Sequence, residues 1–323
     1  MRREEIIKTL QASDSTLLSF KDRGPWGDNR YRGNCSGYIQ AYLVWKYHVN
    51  YLSELFAGSG TGSDVCKDLG IKYFGMDLNP NPVRKDIISF NALTDEVPDE
   101  VRASDMCFMH PPYSELIRIP YANSMWKDET GEYSKSDLGQ MPWDKFMNEL
   151  NKVVMKVYSA MSKGSYMSIL MGDVRRQGFH SMLTDIVKPG DMQQIIIKAQ
   201  HNCVSNGRTY SNSNFVPIVH EYIMVLKKAS DLFIDFQLPK NYEMDVRDSK
   251  TATWADVVAG VLSSLGGRAS LQQIYAKVDG HKKCENNNNW QAKIRQTLQM
   301  HSYFNRVSEG VWAIERNCSL AAA

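Results

Sequence analysis

The run Leu52-Ser53-Glu54-Leu55-Phe56-Ala57-Gly58-Ser59-Gly60-Thr61-Gly62 constrains this chain more than any other feature. An apolar stretch ends, glycines follow at alternate positions, and a helical pattern opens directly behind them. Glycines at such a place let the backbone turn sharply and lie close to a ligand. Asp77 comes nineteen residues after Gly58, at the end of the next expected strand. An acid there accepts hydrogen bonds from ribose hydroxyls. The combination predicts an α/β sheet that binds an adenosine-bearing ligand, and on its own it suits a dinucleotide equally well.

The flanking pattern agrees with a sheet of this kind. Strands are expected at Tyr51–Phe56, Lys72–Met76, Met106–Met109, Tyr166–Met171, Gln194–Lys198 and Val219–Lys227, with helices at Ser63–Leu69 and Trp143–Met161. In the second helix Phe146, Leu150, Val153, Val154, Val157 and Met161 recur at helical spacing, so one face is built for burial. With 43% hydrophobic and 23% charged residues the chain has enough apolar surface for a core and is not a disordered polymer. No apolar run reaches the about 18 residues needed to span a membrane, and the start, Met1-Arg2-Arg3-Glu4-Glu5, lacks the apolar region of a signal peptide. The six cysteines form no C-x-x-C pair and none stands at zinc spacing from a histidine. They read as reduced thiols of a cytoplasmic protein, with no metal site.

A second run supplies the chemistry. Asp105-Met106-Cys107-Phe108-Met109 is an apolar strand that ends in His110-Pro111-Pro112-Tyr113. Two prolines fix the backbone and leave their carbonyls without competing local amides, and a rigid aromatic follows. This suits methylation of an amine whose lone pair is delocalised into a ring. Such an amine must be held by acceptors, the side chain at 110 and the Pro111 carbonyl, so that its lone pair turns toward the methyl donor. Tyr113 then offers a stacking face for a base taken out of its duplex. Together with Glu54, an acid suited to an ammonium, and the short helix after the loop, this moves the cofactor from a dinucleotide to S-adenosylmethionine.

The pair Phe56-Ala57-Gly58-Ser59-Gly60-Thr61 and His110-Pro111-Pro112-Tyr113, in this order, resembles the S-adenosylmethionine-dependent amino-methyltransferases of DNA, which make N6-methyladenine or N4-methylcytosine. The resemblance covers residues 20–228 and implies a Rossmann-like class I methyltransferase sheet, mostly parallel with an antiparallel edge hairpin. It implies that Arg32-Gly33-Asn34-Cys35-Ser36 helps close the methionine pocket, that Asn91-Ala92-Leu93 contacts the adenine side, and that Leu78 joins Asp77 in the cofactor set. Gly172-Asp173-Val174-Arg175-Arg176 and His220-Glu221-Tyr222 match later family motifs at strand ends; Asp173 also suits a helix cap, and His220-Glu221 a surface pair. The family usually carries Asp, Asn or Ser where this chain has His110. An imidazole accepts only when neutral, so activity is expected to fall as the ring protonates, around its reference pKa of about 6.5 before any environmental shift. Target, by this reading, is adenine N6 ahead of cytosine N4. An RNA or protein-glutamine methyltransferase and a catalytically silent DNA-binding protein on the same fold remain the alternatives.

Two further regions bear on DNA. Ser114–Gln140 is long, polar and aromatic, which suits either a lid over the extruded base or plain disorder, and Tyr121 and Trp126 are its expected DNA contacts. After a methyltransferase domain at 1–240 and a linker near 238–250, residues 251–316 read as a winged helix. Thr253 and Ser270 cap two helices, Trp290–His301 forms a third, and strands Phe304–Val307 and Val311–Ile314 flank a turn at Glu309-Gly310. That unit carries eight basic residues against five acids, although the whole chain is only +2. Asn289, Lys293 and Arg295, on the third helix that opens behind Asn286-Asn287-Asn288-Asn289, are the expected groove contacts. Residues 317–323 read as a tail, part of it a cloning scar. The expected partner is double-stranded DNA; a cognate restriction nuclease and a second copy of the chain are left open as others.

Overall fold

A computed structural model describes residues 2–201 apart from 118, 120, 122–125, 127–130 and 132, and then 214–230, 236–237, 253–285 and 287–314. The expected linker, the tail, Cys203, Cys318 and Asn286 lie outside the described residues. The chain divides into two compact units, Met1–Pro239 and Lys240–Ala323.

The first unit opens with α1 (Arg3–Ala12), β1 (Leu17–Leu18), α2 (Gly37–Lys46), β2 (Tyr51–Leu55), α3 (Thr61–Leu69), β3 (Lys72–Asp77) and β4 (Ile87–Ser89). Then come α4 (Asp99–Ala103), β5 (Met106–Met109), α5 (Trp143–Ala160) and β6 (Tyr166–Met171). A small hairpin of β7 (Asp173–Arg175) and β8 (Phe179–Ser181) precedes α6 (Met182–Asp185). The unit ends with β9 (Lys188–Pro189), β10 (Asp191–Ala199), β11 (His220–Lys227) and β12 (Phe236–Gln237), which pairs with β9.

Among the described residues, eight strands form one sheet in the order β1-β10-β11-β6-β5-β2-β3-β4. The run β6-β5-β2-β3-β4 is parallel and β11 runs against both of its neighbours. This is the mostly parallel, Rossmann-like sheet expected from the sequence. One detail differs: the β10–β11 hairpin is not the edge, because Leu17 and Leu18 pair in parallel with Ile197 and Lys198. A two-residue strand leaves little free edge for unwanted pairing, and two residues are too few to show an alternating pattern. The strand order runs outward from β2 through β3 to β4 and then returns to β5 on the other side of β2, so it reverses between β2 and β5. A crevice opens there, at the carboxyl ends of the strands.

Alternating side chains send the sheet's apolar residues into two cores. Met106 and Phe108 of β5 pack on one side with α1, α2 and α3, while Cys107 and Met109 pack on the other with α5. The α5 stripe behaves as its spacing requires: Phe146, Leu150, Val153, Val154 and Val157 are at most 1% exposed. Each such burial contributes roughly 1.5–3 kcal/mol. Asp173 caps no helix; it opens β7, and its Oδ2 accepts from the Tyr222 hydroxyl at 3.1 Å.

The second unit contains α7 (Trp254–Ser264), β13 (Arg268–Ser270), α8 (Leu271–Val278), α9 (Lys282–Glu285), α10 (Trp290–Met300), β14 (Phe304–Ser308) and β15 (Val311–Ile314). Thr253 accepts from the Asp256 amide, and Asp256 returns a bond to the Thr253 amide at 2.7 Å, a reciprocal cap worth about 1 kcal/mol. Ser270 and Gln273 repeat the device on α8. Gly266 and Gly267, at φ +83° and +87°, let the chain leave α7 and enter β13. The strands pair antiparallel in the order β13-β15-β14 over a core of Val257, Val261, Ile274, Ile294 and Leu298.

Candidate active site

The glycine loop leaves β2 through a strained residue. Phe56 sits at φ +67°, a conformation costly for a side chain of its size, and persists because its neighbours are tied down. The Ala57 amide donates to the Met76 carbonyl at 3.1 Å, and the Gly58 amide donates to Asp77 Oδ2 at 2.7 Å. Gly58 is required twice over. Its φ is +51°, and a Cβ there would stand 3.1 Å from the Tyr31 ring. Asp77, at the tip of β3, is 6% exposed and also accepts from the Asn79 amide. Burial raises its pKa, against the pull of those two amides.

Asn34, Glu54, Phe56, Ala57, Gly58, Thr61, Asp77, Leu78 and Ala92 line one cavity above this loop. Two expected members, Gly60 and Asn91, do not. Gly60 at φ +79° is the N-cap of α3, and Asn91 braces its own loop by donating to Ser136 and accepting from the Leu93 amide. Leu93, expected with Ala92 on the adenine side, lines the cavity too, and so do Phe90, Gln40, Tyr31 and Asp137, which were not anticipated. Gln40 was legible in principle, as a lone amide in the apolar run of α2.

Gln40 and Glu54 form an unusual pair. Glu54 is 3% exposed, and its oxygens accept from Gln40 Nε2 and the Tyr73 hydroxyl, both at 2.5 Å. Burial pushes its carboxyl up to about 8. The other end of the amide, Gln40 Oε1, is buried with no hydrogen-bond partner. An orphaned acceptor costs free energy, and next to a carboxyl it makes a seat for a cation.

A second cavity lies beyond the end of β5. His110, Pro111, Pro112 and Tyr113 line it, with Lys198 of β10 and Glu221 of β11. Gly33, Asn34, Cys35, His110, Pro112 and Tyr121 line both cavities, so the two meet at the strand end. Burial lowers the His110 pKa to about 4, with Glu221 pulling it up and Lys198 pushing it down. Burial thus favours the neutral ring and moves its protonation to lower pH than the reference value. His220-Glu221 is no surface pair, since Glu221 is 7% exposed. Its Oε1 accepts from the Tyr113 hydroxyl at 2.8 Å and its Oε2 from Lys198.

Tyr121, expected over the extruded base, borders the second cavity as well as the first, whereas Trp126 borders the first alone. Trp126 is 4% exposed, donates from Nε1 to the Tyr31 hydroxyl at 3.2 Å, and stacks on Tyr121 at 5.6 Å. An aromatic in a polar loop reads as a surface contact; here the rings bury one another and wall the glycine-loop cavity. In the second unit Asn289, Lys293 and Arg295 are all exposed on or beside α10. Lys293 donates to Gln296 and Arg295 to the Tyr275 hydroxyl.

Among the described residues no group of three or more His, Cys, Asp or Glu is arranged to hold a metal ion, and Cys35, Cys66, Cys107 and Cys284 are free thiols. No described helix is long and apolar enough to cross a membrane.

No protein-family model and no curated protein matches the chain. Solved structures resemble it at a distance. TrmN from Thermus thermophilus is 15% identical over 61% of this chain and 50% of its own, with a TM-score of 0.38, so this chain spans half the length of that relative. The N-methyltransferase NodS from Bradyrhizobium japonicum, bound to S-adenosyl-L-homocysteine, is 8% identical over 70% of this chain and 99% of its own, with a TM-score of 0.37. A candidate DNA modification methylase from Thermus thermophilus is 18% identical over 48% of this chain and 57% of its own, with a TM-score of 0.24. Likenesses this distant carry no argument about activity, and the functional case rests on this chain's own residues.

Proposed function

We propose that the chain is an S-adenosylmethionine-dependent DNA methyltransferase acting on the exocyclic amine of an extruded base, adenine N6 ahead of cytosine N4. The observation that carries this reading is the meeting of two cavities at His110 and Pro112, one built on the glycine loop and Asp77, the other on the His-Pro-Pro-Tyr end of β5.

The residues of the first cavity suit the cofactor. Asp77 is placed to accept from ribose hydroxyls, and Phe90, Ala92 and Leu93 give an apolar side for an adenine. Gln40 Oε1 and the Glu54 carboxyl suit an α-ammonium, which would satisfy the orphaned acceptor. S-adenosylmethionine supplies an electrophilic methyl group on a positively charged sulfur.

The second cavity suits the amine. The neutral His110 ring has one acceptor nitrogen. The Pro111 carbonyl, which receives no hydrogen bond among the described residues, is a second acceptor. Held between them, an exocyclic amine loses conjugation with its ring and presents its lone pair. The contribution is positioning and acceptance rather than strong base catalysis. Tyr113 supplies a stacking wall worth roughly 1–3 kcal/mol.

Cofactor binding should be linked to pH through Glu54. Its free carboxyl sits at about 8, and an ammonium beside it favours the ionised form. Binding near pH 7 should then release close to one proton, and affinity should rise up to about tenfold per pH unit below about pH 8. Calorimetry in buffers of different ionisation heat reads this directly. Glu54→Gln should abolish the proton release; release unchanged in that variant would remove Glu54 from the ammonium site.

The order helix, strand, helices and hairpin in the second unit supports a winged-helix reading, with exposed Lys293 and Arg295 facing DNA phosphates. Lys293→Gln and Arg295→Gln should each lower the slope of log affinity against log salt by about one. Unchanged slopes in both would move the DNA contacts elsewhere. Transfer of labelled methyl from S-adenosylmethionine to DNA, RNA and protein tests the function itself. The reading requires label in DNA; label only in RNA or protein replaces the substrate, and cofactor binding without transfer to any of them supports a silent scaffold.

A further inference from the structure

The β10–β11 hairpin carries a charged pair that the reaction above does not use. Lys198 and Glu221 stand opposite each other in its register, and both line the second cavity. Their side chains are 14% and 9% exposed. A pair this buried is weak evidence for stability, because desolvation offsets most of the attraction. What distinguishes it is its third member. Glu221 Oε2 accepts from Lys198, and Oε1 accepts from the Tyr113 hydroxyl at 2.8 Å. Burial alone would raise the Glu221 pKa; the Lys198 charge and the hydrogen bonds from Lys198 and Tyr113 outweigh it and hold the carboxylate ionised. A charged acceptor makes the stronger bond to the phenol.

The Tyr113 ring is fixed from a second side as well. A Cβ at Gly172 would stand 3.0 Å from it, so the ring lies directly against the β6–β7 backbone. Hydroxyl and ring edge are thus both held, by residues distant in sequence, and Tyr113 lines the second cavity.

We propose that the Lys198–Glu221 pair is a positioning device that holds Tyr113 as the capture wall for the extruded base, acting on nucleotide binding rather than on methyl transfer. The inference rests on the functional reading above. Glu221 touches neither cofactor nor amine in this account; it acts through Tyr113. Cutting its bond to the phenol should loosen the ring and weaken capture, while His110 and Pro111 still align an amine once it arrives.

The test compares steady-state methylation of DNA by the full chain and its variants. Glu221→Ala should raise KM for DNA about tenfold, the loss of one hydrogen bond to a charged group, with kcat changed less than about threefold and the dissociation constant of S-adenosylmethionine unchanged. Glu221→Gln, which keeps an acceptor for the phenol, should recover most of the loss. Tyr113→Phe cuts the same bond without leaving Lys198 unpaired, so it reads the effect even where Glu221→Ala folds poorly. Its KM should rise by a similar factor, and the double variant Tyr113→Phe/Glu221→Ala should be no worse than the poorer single one. An unchanged KM in Tyr113→Phe, or additive losses in the double variant, overturns the proposal. A parent chain inert on DNA overturns the functional reading and this inference together; an active parent with indifferent variants overturns this inference alone.

Discussion

His110→Ala is expected to lower the single-turnover rate of methyl transfer at least about a hundredfold, the usual cost of deleting one positioned hydrogen-bond partner of a reacting group, with cofactor affinity nearly unchanged. The ring borders both cavities, and its acceptor nitrogen is made available by burial rather than by a partner. His110→Asn should retain part of the rate, since an amide oxygen also accepts. With cofactor saturating at every pH, the parent rate should be flat between pH 6 and pH 8 and should fall only as the pH approaches 4, where the ring protonates. Stability carries the same signature. Between about pH 6.5 and 4 the unfolded chain binds a proton that the folded ring refuses, so the free energy of unfolding falls as the pH falls through that window. Rates on one duplex at pH 6 and pH 8 decide the matter. A His110→Ala variant matching the parent at both would make the side chain structural and leave the amine to Pro111 alone.

Asp77→Ala is expected to weaken S-adenosylmethionine binding by at least about a hundredfold. Two charge-assisted bonds to ribose, each about 1.5–3 kcal/mol gross, are lost, and the loop loses its anchor too, because Asp77 holds the amides of Gly58 and Asn79. Asp77→Asn keeps one acceptor oxygen and should fall between parent and alanine variant. Titration calorimetry gives the affinities; an unchanged value in Asp77→Ala would separate this carboxylate from the cofactor.

Local signals carried much of the fold and the first half of the site. The α5 stripe, the caps at Thr253 and Ser270, and the glycine loop are each set by neighbours in sequence, and each appears where spacing puts it. Elements made by distant partners were not visible. β1 and β13 are two and three residues long and exist through pairing with β10 and β15. Lys198 and Glu221 meet only because a hairpin closes, and Glu221 reaches Tyr113 from 108 residues away. Burial was the other hidden variable. It lowers the pH at which His110 protonates, and it sets Trp126 into the wall of the glycine-loop cavity. It also leaves Gln40 with an unpaired oxygen, a feature that composition and periodicity do not reveal.

The central claim is methylation of a DNA base at His110-Pro111-Pro112-Tyr113. Mass spectrometry of nucleosides from the DNA of cells expressing the parent chain, beside cells expressing His110→Ala, tests it most directly. N6-methyladenine is expected above background with the parent chain and at background with the variant. Equal levels of every methylated nucleoside in the two samples, with both chains present and binding S-adenosylmethionine, would contradict it.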